Sequence, residues 1–280
     1  MATDMDGTLL TSRRVMSRAT AAAMRQAAAS GVHVAFCTGR SYRSAYVHAW
    51  FGRFRPYVVS ANGAMAHDRD GRLLFCTGMD DAVAREVTQI LRHYGLPFHM
   101  YTAGAVVTEA SAPWRSPHPF SIADLLQPAG AVLKVVNRLV NRPLMVGDTL
   151  GYLSQHGPCV KYFCPEGEPG SLKACLAEIR ASGLPLDISA SGADNFELTA
   201  FGVNKGAGLA RLAEHLGVAR AEVVAVGDHL NDVDMIRWAG LGVAMANAVP
   251  AVKELAGHMT ASNDADGVAK LIHTFILNQG

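Results

Sequence analysis

No apolar run in the 280 residues reaches the roughly 18 needed to cross a bilayer, which excludes a membrane-spanning helix as a reading of this chain. Neither sign of charge predominates. The 25 Lys and Arg stand against 24 Asp and Glu, so no overall field would steer the chain toward nucleic acid or an anionic membrane. The cysteines Cys37, Cys76, Cys159, Cys164 and Cys175 are odd in number and lack the short paired spacing of zinc sites and redox dithiols. They read as the thiols of a reduced, cytoplasmic protein. Asp4 and Asp6 stand where a signal peptide would begin positive, so no export signal is expected. There is no internal repeat and no low-complexity tract.

What is present suits a packed α/β protein. Half of the residues are hydrophobic and 18% are charged, far from the composition of a disordered chain. The length serves one large domain or two modest ones. Short apolar β-type runs alternate with helical stretches, the rhythm of parallel βαβ units whose sheet is covered on both faces. Ser17 suits the N-cap of a helix over 19–29, Gly31 its exit, and the strand expected at 32–37 would deliver Thr38 at its carboxyl end. A second unit runs through a helix at 41–51 into a strand at 57–60. A third fills 205–277, with a strand at 223–226 ending on Gly227-Asp228. From 79 to 193 the rhythm changes. Pro113, Pro117, Pro119 and Pro128 suit a loop, flanked by helices at 81–94 and 171–181 and strands at 98–101 and 106–109. The expected division is a core of 1–80 and 194–280 with an insert of 81–193.

Four places could carry chemistry. Asp4-Met5-Asp6-Gly7-Thr8 sets two carboxylates two residues apart as a strand gives way to a glycine turn, on one face if the β geometry persists. One could attack an electrophile while the other handles a proton; alone, such a segment reads as an ordinary surface turn. Thr38-Gly39-Arg40 brings a hydroxyl and backbone N–H groups to a strand–helix junction, where anions settle. Gly227-Asp228-His229-Leu230-Asn231-Asp232, followed by Asp234, gathers hard oxygen ligands of the kind that suit Mg²⁺, and His229 is a poor match for such a site. Lys205 begins a helix, where its charge opposes the dipole unless an anion lies nearby. Two further segments serve as contrasts. Gly147-Asp148 follows an apolar run with no Asn-Asp pair downstream, and Asn62-Gly63 reads either as a turn or as a substrate-facing Asn62.

In this order the four segments resemble the sequence motifs of the haloacid dehalogenase superfamily, most closely its Cof-type branch. That branch carries a large cap inserted between the second and third motifs, and Ala244-Met245-Ala246-Asn247-Ala248 is similar to it too. The resemblance implies a Rossmann-like α/β core with an inserted α+β cap. It implies Asp4 as nucleophile and Asp6 as general acid–base. Asp4, Asp6 (through its carbonyl) and Asp228 would be Mg²⁺ ligands, with Asp232 orienting the metal site. The Met5 N–H, Thr38, Gly39, Lys205 and Asn231 would hold phosphate, with Asn62 facing the substrate. The implied activity is hydrolysis of a small phosphate ester through an aspartyl-phosphate. A phosphomutase or phosphotransferase is the runner-up within enzymes, and a catalytically weak phosphate-ester-binding regulator stands outside them. Asp6 speaks against the family's ion pumps, which lack an acid there. No nucleic-acid or membrane partner is implied, and no feature reports an oligomeric state. One departure from the pattern is that only Met1, Ala2 and Thr3 precede Asp4, so the first strand is expected to be clipped below the usual length of about 5 residues.

Overall fold

A computed structural model describes residues 1–109, 128–165, 167–189 and 195–277. The chain opens with β1 (Ala2–Thr3), α1 (Arg18–Ala29), β2 (Ala35–Cys37), α2 (Tyr42–Gly52), β3 (Tyr57–Ser60), β4 (Met65–His67) and β5 (Leu73–Cys76). It continues through α3 (Asp81–His93), β6 (His99–Tyr101), β7 (Val106–Glu109), α4 (Pro128–Val140), β8 (Leu144–Val146), α5 (Thr149–His156), β9 (Lys161–Cys164), α6 (Pro169–Ala181), β10 (Leu186–Ser189) and β11 (Phe196–Ala200). It closes with α7 (Lys205–His215), β12 (Val224–Gly227), α8 (Val233–Trp238), β13 (Leu241–Met245), α9 (Pro250–Leu255), β14 (His258–Thr260) and α10 (Gly267–Leu271).

These strands form two sheets. The core sheet runs β14-β13-β12-β1-β2-β3-β4-β5, parallel from β14 to β3 and antiparallel at β3/β4 and β4/β5. This is the Rossmann-like arrangement expected from the βαβ rhythm. The second sheet runs β10-β11-β9-β6-β7-β8 and belongs to the cap. Each has its own apolar core. Met24, Phe36, Val59, Ala225 and Val243 lie in one, and Val87, Leu91, Met100, Tyr162 and Leu198 in the other. Among the described residues no helix is long and apolar enough to cross a membrane.

Local chemistry accounts for the element boundaries. The Ser17 hydroxyl accepts from the Thr20 N–H at 3.0 Å and caps α1. Past its end, the Val32 N–H returns to the Ala27 carbonyl at 3.1 Å, so residues 32–34 serve the helix exit and the strand expected at 32–37 begins only at Ala35. β1 is short, as its sequence implied, yet it is fully buried and paired on both sides. Ala2 and Thr3 stand opposite Ala35 and Phe36 in β2 and opposite Ala225 and Val226 in β12. Two expectations need correction. The expected boundary at 193/194 precedes β11, which pairs antiparallel with β10 and β9. Its inward residues Phe196 and Leu198 fill the cap core, so the cap sheet runs through Ala200. Pro128, read as part of a loop, opens α4, a position where its missing N–H costs nothing. Pro113, Pro117 and Pro119 lie outside the described residues.

Phe36 is the largest fully buried apolar side chain of the core sheet, edge-on to Phe54 at 5.7 Å between ring centroids. Phe36→Ala is expected to destabilise the core by about 3–5 kcal/mol, read as a shift in the denaturation midpoint. A change below 1 kcal/mol would contradict this packing.

Candidate active site

Asp4 follows β1, Thr38 follows β2, and Asp228 follows β12. These strands are parallel neighbours, so their carboxyl ends bring residues far apart in sequence to one edge of the sheet, where open α/β sheets bind ligands. Lys205 reaches the same edge from the first turn of α7, whose N-cap Asn204 accepts from the Ala207 N–H at 2.8 Å. Its ammonium donates to Asp4 Oδ1 and to Asp232 Oδ1, each at 2.6 Å. All three side chains are buried. The lysine that opposes its helix dipole thus has two anions close by.

The acidic floor is ordered around that lysine. The second oxygen of Asp232 accepts from the backbone N–H groups of Asp228 and His229 at 2.9 and 3.0 Å, which fixes the turn carrying Asp228. Thr8 donates its hydroxyl to Asp228 Oδ1 at 2.7 Å. Gly7 adopts φ +80°, and a Cβ there would stand 2.3 Å from Asp228 Oδ2, so the two aspartate segments close on each other only because residue 7 has no side chain. Asn247 completes the frame by donating to the Gly7 carbonyl at 2.8 Å. Asp4, Asp228 and Asp232 each offer a carboxylate oxygen, all within 4.8 Å of one another. A set of hard oxygen donors this close fits a small divalent cation such as Mg²⁺. The proton affinities agree. Burial, then the Asp232, Asp228 and Asp6 charges, pushes the Asp4 carboxyl well above its usual range against the pull of Lys205. Asp228 is pushed up to about 6, chiefly by burial, with Thr8 opposing. Burial would drive the Lys205 proton off, but Asp232 and Asp4 override it and hold the ammonium charged. Carboxylates crowded in this way gain from a further positive charge.

Asp6 stands apart from this cluster. Arg40 grips it with two parallel hydrogen bonds of 2.6 Å, Nε to Oδ2 and Nη2 to Oδ1, a fork that suits carboxylates. Partial desolvation works against its ionisation, but the charge and hydrogen bonds of Arg40, aided by Arg14 and His48, hold the Asp6 carboxyl well below the usual range. Its side chain is half exposed and is not part of the cluster formed by the other three aspartates.

A cavity of about 500 Å³ opens above the floor, lined by Asp4, Asp6, Thr38, Gly39, Asp228, His229 and Asn231 from the core. From the cap it is lined by His99, Tyr101, Lys161, Phe163 and Glu197. Met5 packs its side chain into the core and is fully buried, so its backbone alone is available for the role expected of it. Asn62 adopts a left-handed φ of 55°. Its amide donates to Glu197 of the cap, with Ser189 at 3.5 Å, so it meets the cap and not the cavity. Asp148 caps α5 and pairs with Arg92 at 2.8 Å. Reading the sequence missed Lys161 and Glu197. Their signal was a lone charge inside an otherwise apolar strand, Val160-Lys161-Tyr162 and Phe196-Glu197-Leu198.

The parallel core, the acidic floor and the inserted cap define a capped, Rossmann-like α/β protein whose site is built on aspartates. The family model of haloacid dehalogenase-like hydrolases matches residues 1–139 and 154–272, and the chain belongs to that family, in its Cof-type branch. It is 30% identical over 292 residues to phosphatase YwpJ of Bacillus subtilis (strain 168), covering 97% of this chain and 98% of that protein. It is 30% identical over 277 residues to 5-amino-6-(5-phospho-D-ribitylamino)uracil phosphatase YcsE of the same organism, covering 99% and 95%. A solved haloacid dehalogenase-like hydrolase from B. subtilis superimposes with a TM-score of 0.81 at 28% identity, covering 98% of this chain and 99% of that one.

The cavity wall carries a pH dependence of its own. Burial, then the charge of Lys161, lowers the His99 pKa from 6.5 to about 4. Above pH 6.5 the imidazole is neutral whether the chain is folded or not. Between 6.5 and 4 the unfolded chain takes up a proton that the folded one refuses, so stability falls as the pH falls across that window. His99→Phe is expected to flatten the dependence of the melting temperature on pH between 6.5 and 4. Identical slopes in the two proteins would contradict this assignment.

Proposed function

We propose that this chain is a Mg²⁺-dependent phosphomonoester hydrolase acting on a small phosphorylated metabolite, a sugar phosphate or a phosphorylated cofactor. One observation carries the reading: Asp4 is held by Lys205 at 2.6 Å, beside Asp228 and Asp232, on the floor of a cavity roofed by the cap. A volume of about 500 Å³ suits a small molecule. That a relative spanning the whole chain is named for a phosphorylated aminouracil supports the cofactor side of the substrate class.

Asp4, Asp228 and the main-chain carbonyl of Asp6 would hold the Mg²⁺, with Asp232 orienting them. The ion would supply positive charge against the repulsion between an anionic nucleophile and an anionic ester. In the first step Asp4 attacks phosphorus, the ester P–O bond breaks, and the departing oxygen takes a proton from Asp6, leaving an aspartyl-phosphate and a free alcohol. In the second step Asp6 removes a proton from water, the water oxygen attacks phosphorus, and the bond to Asp4 breaks, releasing phosphate and restoring the carboxylate. Lys205, Thr38, Asn231 and the N–H groups of Met5 and Gly39 would hold the phosphoryl oxygens as charge develops on them. The Arg40 fork keeps Asp6 ionised, the form that the water-activating step requires. Before the first step Arg40 must release it to a proton.

Asp4→Asn leaves no cavity and leaves Lys205 its second carboxylate partner, Asp232 at 2.6 Å, so the variant is expected to be less stable than wild type but folded, which its thermal midpoint checks. It should lower Mg²⁺-dependent phosphate release from a panel of sugar phosphates and phosphorylated cofactors by at least about 10³-fold. A loss of less than tenfold would sink the proposal.

A further inference from the structure

The peptide unit joining Gly39 to Arg40 is held at both ends. Its N–H donates to Thr38 Oγ1 at 3.1 Å, and its carbonyl accepts from Lys161 Nζ at 2.5 Å. The carbonyls on either side are held by the core itself. Thr38 O accepts from the Asn62 N–H and Arg40 O from the Ala61 N–H, each at 3.0 Å. The middle carbonyl is gripped from the cap.

Lys161 lies on β9 and is 1% exposed. Its ammonium sits 3.3 Å from Glu197 Oε2 on β11 and 4.4 Å from the centre of the Tyr101 ring. Glu197 in turn accepts from the Asn62 amide. The seam between cap and core is thus closed over Gly39 by a buried ion pair that is neutral as a unit, which offsets the cost of burying either charge alone. Gly39 makes the approach feasible. A Cβ there would stand 2.9 Å from Asn62 Oδ1 and 3.4 Å from Glu197 Oε2.

From this geometry we infer that Lys161 is a positioning residue that acts through Thr38. By fixing the Gly39–Arg40 peptide plane it fixes the N–H that Thr38 Oγ1 accepts, and so aims the Thr38 hydroxyl proton into the cavity. The phosphate cradle is then complete only while the cap is seated, with Glu197 neutralising the lysine and holding the seam through Asn62. This inference rests on the phosphatase reading above.

The test compares wild type, Lys161→Met, Lys161→Arg, Thr38→Ala, Lys161→Met with Thr38→Ala, and Lys161→Met with Glu197→Gln. It measures thermal midpoint, kcat, KM and inhibition by orthovanadate. The charge-neutral pair Lys161→Met/Glu197→Gln is expected to melt within a few degrees of wild type. It should lose about tenfold in kcat and bind orthovanadate about tenfold more weakly, the scale of one hydrogen bond to a charged group. Adding Thr38→Ala to Lys161→Met should cost far less than it costs wild type, because both changes break one chain of contacts. Lys161→Arg keeps the charge against Glu197 but moves the donor, so it should lose kcat without losing thermal midpoint even if the neutral pair folds poorly. Wild-type kcat and orthovanadate affinity in a folded Lys161 variant, or fully multiplicative effects of Lys161→Met and Thr38→Ala, would overturn the inference and leave the phosphatase reading standing. A wild-type protein that neither releases phosphate nor binds orthovanadate would overturn both.

Discussion

One buried ammonium organises this protein. Lys205 meets Asp4 and Asp232 at 2.6 Å each in a place where water cannot screen them. Removing one partner from a buried ion pair of this kind costs about 3–5 kcal/mol, so its members are tied to one another. Asp4 comes directly after the first strand, Lys205 from the helix that follows the cap, and Asp232 from the turn after β12. The sheet must place β1 between β12 and β2 for these groups to meet at all. β1 has only two residues and pairs with both neighbours. The ion pair gives the segment beyond it a third anchor, and Asn247 on the Gly7 carbonyl gives a fourth.

The same arrangement leaves the floor with more negative charge than one lysine can neutralise. Three carboxylates within 4.8 Å, two of them with raised proton affinity, form a site whose electrostatics favour a divalent cation and a bound anion together. Asp6, two residues from Asp4, lies outside that cluster, its carboxylate paired with Arg40. Two aspartates in one short segment thereby acquire different environments, which is how a pair of like groups can divide nucleophilic and proton-transfer roles.

Much of this was legible in the sequence, for identifiable reasons. Strand–turn–helix junctions rich in Gly, Asp and Thr marked Asp4, Thr38 and Asp228 as candidates, but each alone read as an ordinary turn and Lys205 as an ordinary surface lysine. It was their order along the chain, resembling the family's motifs, that put the four in one site. The edge between cap and core was not. β11 looks like a return to the core until its pairing with β9 and β10 is seen. Lys161 and Glu197 are lone charges in apolar strands whose partners lie over a hundred or only a few dozen residues away. Asn62 was read as turn or substrate contact, and its amide instead meets the cap, a long-range contact that no local pattern encodes. The Arg40 fork was hidden for the same reason, since no local signal says which carboxylate a guanidinium will choose.

The proposed chemistry centres on a covalent bond between phosphorus and the side chain that Lys205 holds, and that bond can be sought directly. Acid quenching of the enzyme during turnover, borohydride reduction and peptide mapping by mass spectrometry would convert a phosphorylated Asp4 to homoserine. Homoserine at residue 4, dependent on substrate and absent from Asp4→Asn, is the predicted result. Turnover at full rate with Asp4 unmodified, or with the label on another carboxylate, would contradict it.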